Sequence, residues 1–85
     1  MNVVLSTLNS KFIHSSLALR YLKAYGHAHG QAYDIVEYTI NMPVLHILSD
    51  ITERNIDVLG FACYIWNIEM TLHVVDMVKA VRPDI

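Results

Sequence analysis

The sequence begins with NVVLST (residues 2–7), a short run of apolar and β-branched residues without a charge. Such a run is typical of a strand that is buried on both faces, and strands of this kind are usually parallel and central in their sheet. Two later runs have a similar character, YDIVEYTI (residues 33–40) and DVLGFAC (residues 57–63). The sequence therefore predicts three strands.

Helical patterns separate and follow these strands. Ser15 and Ser16 precede apolar residues at helical spacing, so their hydroxyls can cap a first helix that we expect to end near Gly30. Asn67 is a candidate cap for a third helix that is apolar nearly all round. The second helix has the clearest amphipathic stripe, which consists of Val44, Ile47, Leu48 and Ile51.

Three strands alternating with three helices predict βαβ units with right-handed crossovers. The expected fold class is α/β: a flavodoxin-like or Rossmann-like three-layer βαβαβα arrangement on a parallel sheet. Residues 82–85 resemble a turn that leads into a fourth strand, so we expect residues 1–85 to be an incomplete, N-terminal portion of a domain.

Composition excludes several classes of protein. A hydrophobic fraction of 54% with 16% charged residues is too apolar for a disordered chain. The net charge is −2 and the six Lys and Arg residues form no basic stripe, which argues against nucleic acid or an anionic membrane as a partner. No apolar run is long enough to span a membrane and no secretory signal is visible, so a cytoplasmic protein is expected. A single cysteine excludes an internal disulfide.

Two loops are the expected ligand-binding region, because ligands of open parallel sheets bind beyond the carboxyl ends of the strands. The first loop, residues 8–14, offers the amide of Asn9 and the amine of Lys11 near a helix start. It lacks the glycines of a dinucleotide loop and the spacing of a Walker motif. The second loop, residues 64–67, places Tyr64 and Trp66 just past a buried strand, where large aromatics line a pocket or pack in the core.

Each titratable candidate has two interpretations. His14 is a ligand or proton carrier, or it makes a simple polar contact near a helix start. Cys63 is a nucleophile at a strand end, or a small apolar residue in the core. The remaining histidines show no metal-binding spacing and are interpreted as structural; they are His27, His29, His46 and His73.

Two stretches carry a family resemblance, LSTLNSKFIHSSLALRYL (residues 5–22) and GFACYIWNIE (residues 60–69). They resemble the N-terminal cobalamin-binding domains of B12-binding radical S-adenosylmethionine (radical SAM) proteins, whose relatives include the anaerobic magnesium-protoporphyrin monomethyl ester oxidative cyclases. SSLALRYL (residues 15–22) stands where wider relatives carry Pro-Pro-Leu-Gly-Leu-x-Tyr-Leu. The sequence has no Asp-x-His-x-x-Gly motif, because His14 is followed by SSL, so histidine ligation of cobalt is not expected.

The resemblance implies a cobalamin-binding module rather than an enzyme in its own right. The parent protein would be a B12-dependent radical SAM oxidoreductase that catalyses methyl transfer, cyclisation or rearrangement. Its S-adenosylmethionine and [4Fe-4S] cluster would bind in a C-terminal radical SAM domain outside this chain. The cofactor-binding candidates are Thr7, Leu8, Asn9, Lys11, His14, Ser15, Cys63, Tyr64, Trp66 and Asn67.

The residues leave other possibilities open. A different flavodoxin-like module could bind a flavin phosphate through the hydroxyl-rich first loop, or serve as an interaction or scaffold domain. We also expect the chain to form a homodimer, because the third strand would be an uncharged sheet edge without its fourth-strand neighbour.

Overall fold

A computed structural model describes residues 2–9 and 17–85, and in them three strands alternate with three helices. The elements are β1 (Val3–Asn9), α1 (Leu17–Ala28), β2 (Tyr33–Thr39), α2 (Val44–Thr52), β3 (Val58–Ala62) and α3 (Ile68–Val81). Each predicted strand and helix is confirmed, with ends shifted by a few residues. The expected burial of the third strand is wrong, because β3 pairs with β1 alone among the described strands, so that Val58 is exposed and the other four residues are half-buried. The first helix ends before Gly30, whose φ of 79° suits a residue without a side chain. Its predicted caps, Ser15 and Ser16, lie outside the described residues.

The strands form one parallel sheet in the order β2-β1-β3. Val3 of the central strand is in register with Tyr33 on one side and with Val58 on the other. This order and the alternation of elements confirm the flavodoxin-like βαβαβα fold. Since the strands run the same way, their carboxyl ends meet at one edge of the sheet, which we call the carboxyl edge.

The core lies between one face of the sheet and helices α2 and α3. Val4 and Leu8 project from β1 towards this face, where they are buried with residues of both helices. The stripe predicted for α2 is confirmed, because Ile47 and Ile51 are fully buried and the other two members pack beside them. The buried cluster consists of Val4, Leu8, Tyr38, Ile47, Ile51, Ile56, Val74 and Val78.

Helix α1 covers the opposite face and leaves more of it open. Alternation along β2 places Tyr33 on this face, and the α1 residue Gly26 lies against its ring. A methyl group added at Gly26 would come within 2.5 Å of the Tyr33 ring and 2.9 Å of the Gln31 carbonyl oxygen. Gly26 therefore permits the close approach of helix and strand on this face.

A short polar chain joins β2 to α2. The Tyr38 hydroxyl donates a hydrogen bond to Asp50, which also accepts one from the Nε of Arg54 at 2.9 Å. Burial, with the hydrogen bond to Asp50, raises the pKa of Tyr38 above its ordinary value. The Tyr38 hydroxyl, with help from Arg54, lowers the pKa of the Asp50 carboxyl. The arrangement satisfies the one polar group that Tyr38 brings into the core.

In the described part of the chain, no helix is both long enough and apolar enough to cross a bilayer.

Candidate functional site

The connections diverge between β1 and β3 at the carboxyl edge. Helix α1 follows β1 on one face of the sheet, and α3 follows β3 on the other, where Val74 and Val78 join the core. Such a switch point leaves a crevice between the two departing chains, and open α/β sheets bind their ligands there. The geometry thus selects the end of β1 and the β3–α3 loop as the candidate site.

The β3–α3 loop presents an apolar surface to solvent. Tyr64 and Trp66 stack with ring centroids 4.6 Å apart and planes inclined by 1°. Trp66 is 60% exposed and Ile65 is 96% exposed. With Cys63 and Ile68 these side chains line an open hollow of about 460 Å³. We call the stacked pair of Tyr64 and Trp66 the aromatic ledge; its exposure excludes the interpretation of Trp66 as a core residue.

Polar bonds tie the two strand ends together below this surface. The Thr7 hydroxyl donates to the Ala62 carbonyl oxygen at 2.8 Å. The side chain of Asn67 donates from Nδ2 to the Leu8 carbonyl oxygen at 2.9 Å and accepts at Oδ1 from the Tyr64 N–H at 2.7 Å. These hydrogen bonds therefore fix the β3–α3 loop against the end of β1.

The structure corrects the expected role of Asn67 as a helix cap. Asn67 does occupy the residue before α3, but its side chain makes no capping hydrogen bond to the helix. Its amide is already used by the Leu8 carbonyl and the Tyr64 N–H. A side chain cannot serve the first amides of a helix while it faces away towards the neighbouring strand.

Asn9 extends the site towards β2. Its Nδ2 donates to Oε1 of Glu37 at 3.0 Å, so the ends of β1 and β2 are also linked. Glu37 was not among the predicted site residues. The register pairs Thr7 with Glu37, and aligning the two predicted strands at their carboxyl ends would have placed this carboxylate near the site.

Seven of the ten predicted cofactor-binding residues lie at this edge, and they differ in exposure. Trp66 and Cys63 are exposed and Asn9 and Tyr64 are half-buried, whereas Thr7, Leu8 and Asn67 are fully buried. The exposure of Cys63 rules out its interpretation as a core residue. The other three predicted residues, Lys11, His14 and Ser15, lie outside the described residues.

A larger groove of about 720 Å³ lies elsewhere, between α1 and the outer edge of β2. Charged side chains of both signs line it, including Lys23 and Asp34, so it favours neither anions nor cations. Apart from Glu37, its lining residues are not among those placed at the carboxyl edge, and we therefore assign the site to the smaller apolar hollow. Among residues 2–9 and 17–85, no three His, Cys, Asp or Glu side chains are grouped so that they could hold a metal ion.

Comparison with known proteins gives one match. A family model described as the B12 binding domain matches residues 3–85. A search of curated proteins and a search of solved structures found no match. The family match covers almost the whole chain, from the start of β1 through α3, and the strand order agrees with it. The chain belongs to the family of B12-binding domains.

Proposed function

We propose that this chain binds cobalamin at the carboxyl edge, with the aromatic ledge of Tyr64 and Trp66 against the corrin. The observation that carries the proposal is a stacked aromatic pair at the switch point of the sheet, in which Trp66 is exposed and Tyr64 is half-buried. Exposed aromatic surface of this kind is costly in water and marks a site that a ligand or partner covers. Family membership implies which ligand it is.

The residues present fit a corrin. Its ring has broad apolar edges and amide arms, and the hollow beside Ile65 and Trp66 is apolar and open enough to receive one edge of the ring. Bound cobalamin supplies a cobalt centre that carries an alkyl group, and the described side chains orient the ring and keep water from one side of it.

The sequence bears on whether a histidine ligates cobalt. It lacks the Asp-x-His-x-x-Gly motif, because His14 is followed by SSL. We therefore propose that the protein holds cobalamin without a histidine on cobalt. His14→Ala should leave the cobalt absorption spectrum of the bound cofactor unchanged, whereas a shift in the axial-ligand signature would refute this part of the proposal.

The parent protein is proposed to be a B12-dependent radical SAM enzyme. The support is the resemblance of residues 5–22 and 60–69 to the N-terminal domains of that group. S-adenosylmethionine and a [4Fe-4S] cluster would then bind to a C-terminal domain that faces the carboxyl edge. The coding sequence after Ile85 tests this: a Gly-Gly after one more strand, followed later by Cys-x-x-x-Cys-x-x-Cys, is expected, and the absence of both motifs would contradict it.

Titration of the 85-residue chain with hydroxocobalamin tests the binding site, with FMN as the competing cofactor. Cobalamin should bind with a change in its visible spectrum and FMN should not.

Trp66→Ala should weaken cobalamin binding by about tenfold or more with little change in melting temperature, because an exposed ring adds ligand contact rather than core packing. Tyr21→Ala, which removes an exposed ring from α1, is the matched control. Saturable FMN binding without cobalamin binding would favour the flavin alternative. Unchanged cobalamin affinity in Trp66→Ala would mean that the site lies elsewhere.

A further inference from the structure

A buried asparagine lies directly beneath the proposed cofactor surface. Asn67 is 1% exposed, so its side chain cannot contact a ligand above the loop. Buried amides are retained where their hydrogen bonds are satisfied, and both ends of this one are used. Asn67 can therefore affect a bound ligand only through the groups to which it is hydrogen-bonded.

The groups that Asn67 holds belong to two different segments. Its carbonyl end accepts from the N–H of Tyr64 at 2.7 Å, and its own backbone N–H donates to the Tyr64 carbonyl oxygen at 3.0 Å. These two bonds close residues 64–67 into a tight turn. Its amino end donates to the Leu8 carbonyl oxygen at 2.9 Å, which fixes that turn against the end of β1.

The turn of residues 64–67 determines the position of the aromatic ledge. Tyr64 and Trp66 both belong to this turn, and their rings stack in parallel at its surface. Ile65, at the tip of the bend, is almost fully exposed and gives the turn no packing support. Backbone bonds from the Asn67 and Ile68 N–H groups to the Tyr64 carbonyl oxygen also close this turn, and the side-chain bond from Asn67 to Leu8 is the described hydrogen bond that ties the turn to the end of β1.

We infer that Asn67 is a positioning residue for the cofactor: it holds Tyr64 and Trp66 in the orientation that meets the corrin. The inference rests on the proposed function and adds to it a residue that affects cofactor binding without touching the cofactor. The chemistry requires an asparagine, because one short side chain must present an acceptor to Tyr64 and a donor to Leu8. Aspartate keeps the acceptor but sets a carboxylate oxygen against the Leu8 carbonyl, and leucine keeps the shape but neither bond.

The test compares Asn67→Leu and Asn67→Asp with the wild-type chain and with Val78→Ala. Val78→Ala is a stability control, since it truncates a buried residue of α3 away from the loop. The first readout is the affinity for hydroxocobalamin. The second is the near-ultraviolet circular dichroism of Trp66, which is the only tryptophan in the sequence and reports directly on the ledge.

We expect both Asn67 variants to lose most of the Trp66 dichroism and to bind hydroxocobalamin about tenfold or more weakly, because the ledge is no longer preorganised. Val78→Ala should keep the dichroism and bind within about twofold of the wild type, since distant sites act independently. If Asn67→Leu does not fold, Asn67→Asp carries the comparison.

Wild-type affinity and dichroism in the Asn67 variants would overturn the inference. So would weaker binding with unchanged dichroism, because Asn67 would then act by another route. A wild-type chain that binds no hydroxocobalamin would refute the proposed function, and the Trp66 dichroism alone would then decide whether Asn67 shapes the loop.

Discussion

The two faces of the sheet are built differently. The face under α2 and α3 is closed by a contiguous apolar cluster in which Leu8, Ile47 and Val74 are completely buried. On the other face, Leu19 and Gly26 are the buried residues of α1. That helix instead exposes four large side chains, Leu17, Tyr21, Leu22 and Tyr25.

The difference separates stability from binding. Burial of apolar surface is the main stabilising contribution, and most of it lies on the α2 and α3 face. The α1 face and the carboxyl edge keep apolar groups in water, where they are available to a cofactor or partner. We therefore expect truncations on the first face to unfold the chain, and truncations of exposed residues on the second face or the carboxyl edge to alter what it binds.

Ile47→Ala should have the largest effect on stability. Removing three buried methyl or methylene groups leaves a cavity, and such substitutions cost about 2–5 kcal/mol. A domain of this size has a free energy of unfolding of only about 4–12 kcal/mol, so the variant should be partly unfolded at moderate temperature. Urea denaturation followed by circular dichroism measures the change.

Leu45→Ala is the control for that substitution, because Leu45 lies on the same helix and is 70% exposed. Its effect should stay within about 0.5 kcal/mol. Equal losses for the two variants would show that α2 does not pack as described and would remove the contrast between the faces.

Gly26→Ala should destabilise the chain by about 1–3 kcal/mol, because the added methyl group meets the Tyr33 ring and the Gln31 carbonyl. An alanine in an unhindered helix would instead stabilise it by about 1 kcal/mol. The sign of the change in urea midpoint therefore reports whether α1 lies this close to β2. A stabilised variant would mean that the α1 face is looser than the structure shows.

Tyr38→Phe should cost about 1 kcal/mol at neutral pH, since it removes a hydrogen bond to a charged but partly exposed Asp50. The raised pKa of Tyr38 means that the wild-type chain loses stability as pH rises beyond the ordinary tyrosine value of about 10. Phenylalanine cannot titrate, so the difference in free energy of unfolding between the wild-type chain and Tyr38→Phe should become smaller above that pH.

At acid pH the same substitution acts through Asp50. The lowered pKa of its carboxyl gives stability that is present above the ordinary value and is lost as pH falls through the folded one. Because the Tyr38 hydroxyl is the main cause of the lowering, Tyr38→Phe should show a shallower acid limb in a urea series. If the free energies of unfolding of the two proteins changed in parallel with pH, the hydrogen bond between Tyr38 and Asp50 would be contradicted.

The sequence predicted the elements because apolar runs and helical stripes are local patterns that fix the strands and α2. The carboxyl edge was selected as the candidate site from topology, and it remains a prediction. Exposure could not be predicted in this way. Cys63 and Trp66 follow β3 and could equally have turned inward, and the turn that contains Trp66 is tied to β1 by a bond from Asn67 to Leu8, 59 residues away in sequence.

The smallest expected change in monomer stability concerns the outer edge of β3. Among the described elements β3 pairs with β1 alone, and its residues carry no charge, whereas the opposite edge strand β2 contains Asp34 and Glu37. Charges on an edge strand deter pairing with another chain. We propose that two copies of the chain associate along β3.

Val58→Lys tests this association, because Val58 is 44% exposed on the α1 side of β3. A lysine there should change the free energy of unfolding by no more than about 0.5 kcal/mol, since the side chain already reaches solvent. It should nevertheless convert a dimer into a monomer, because a charged side chain on an edge strand deters its pairing with another chain. Leu45→Lys adds the same charge to α2 and should leave the dimer intact. Sedimentation at micromolar concentration separates the cases: a wild-type chain that is already a clean monomer would defeat the proposal, and a Val58→Lys chain that remains dimeric would move the interface to the exposed residues of α1 or α3.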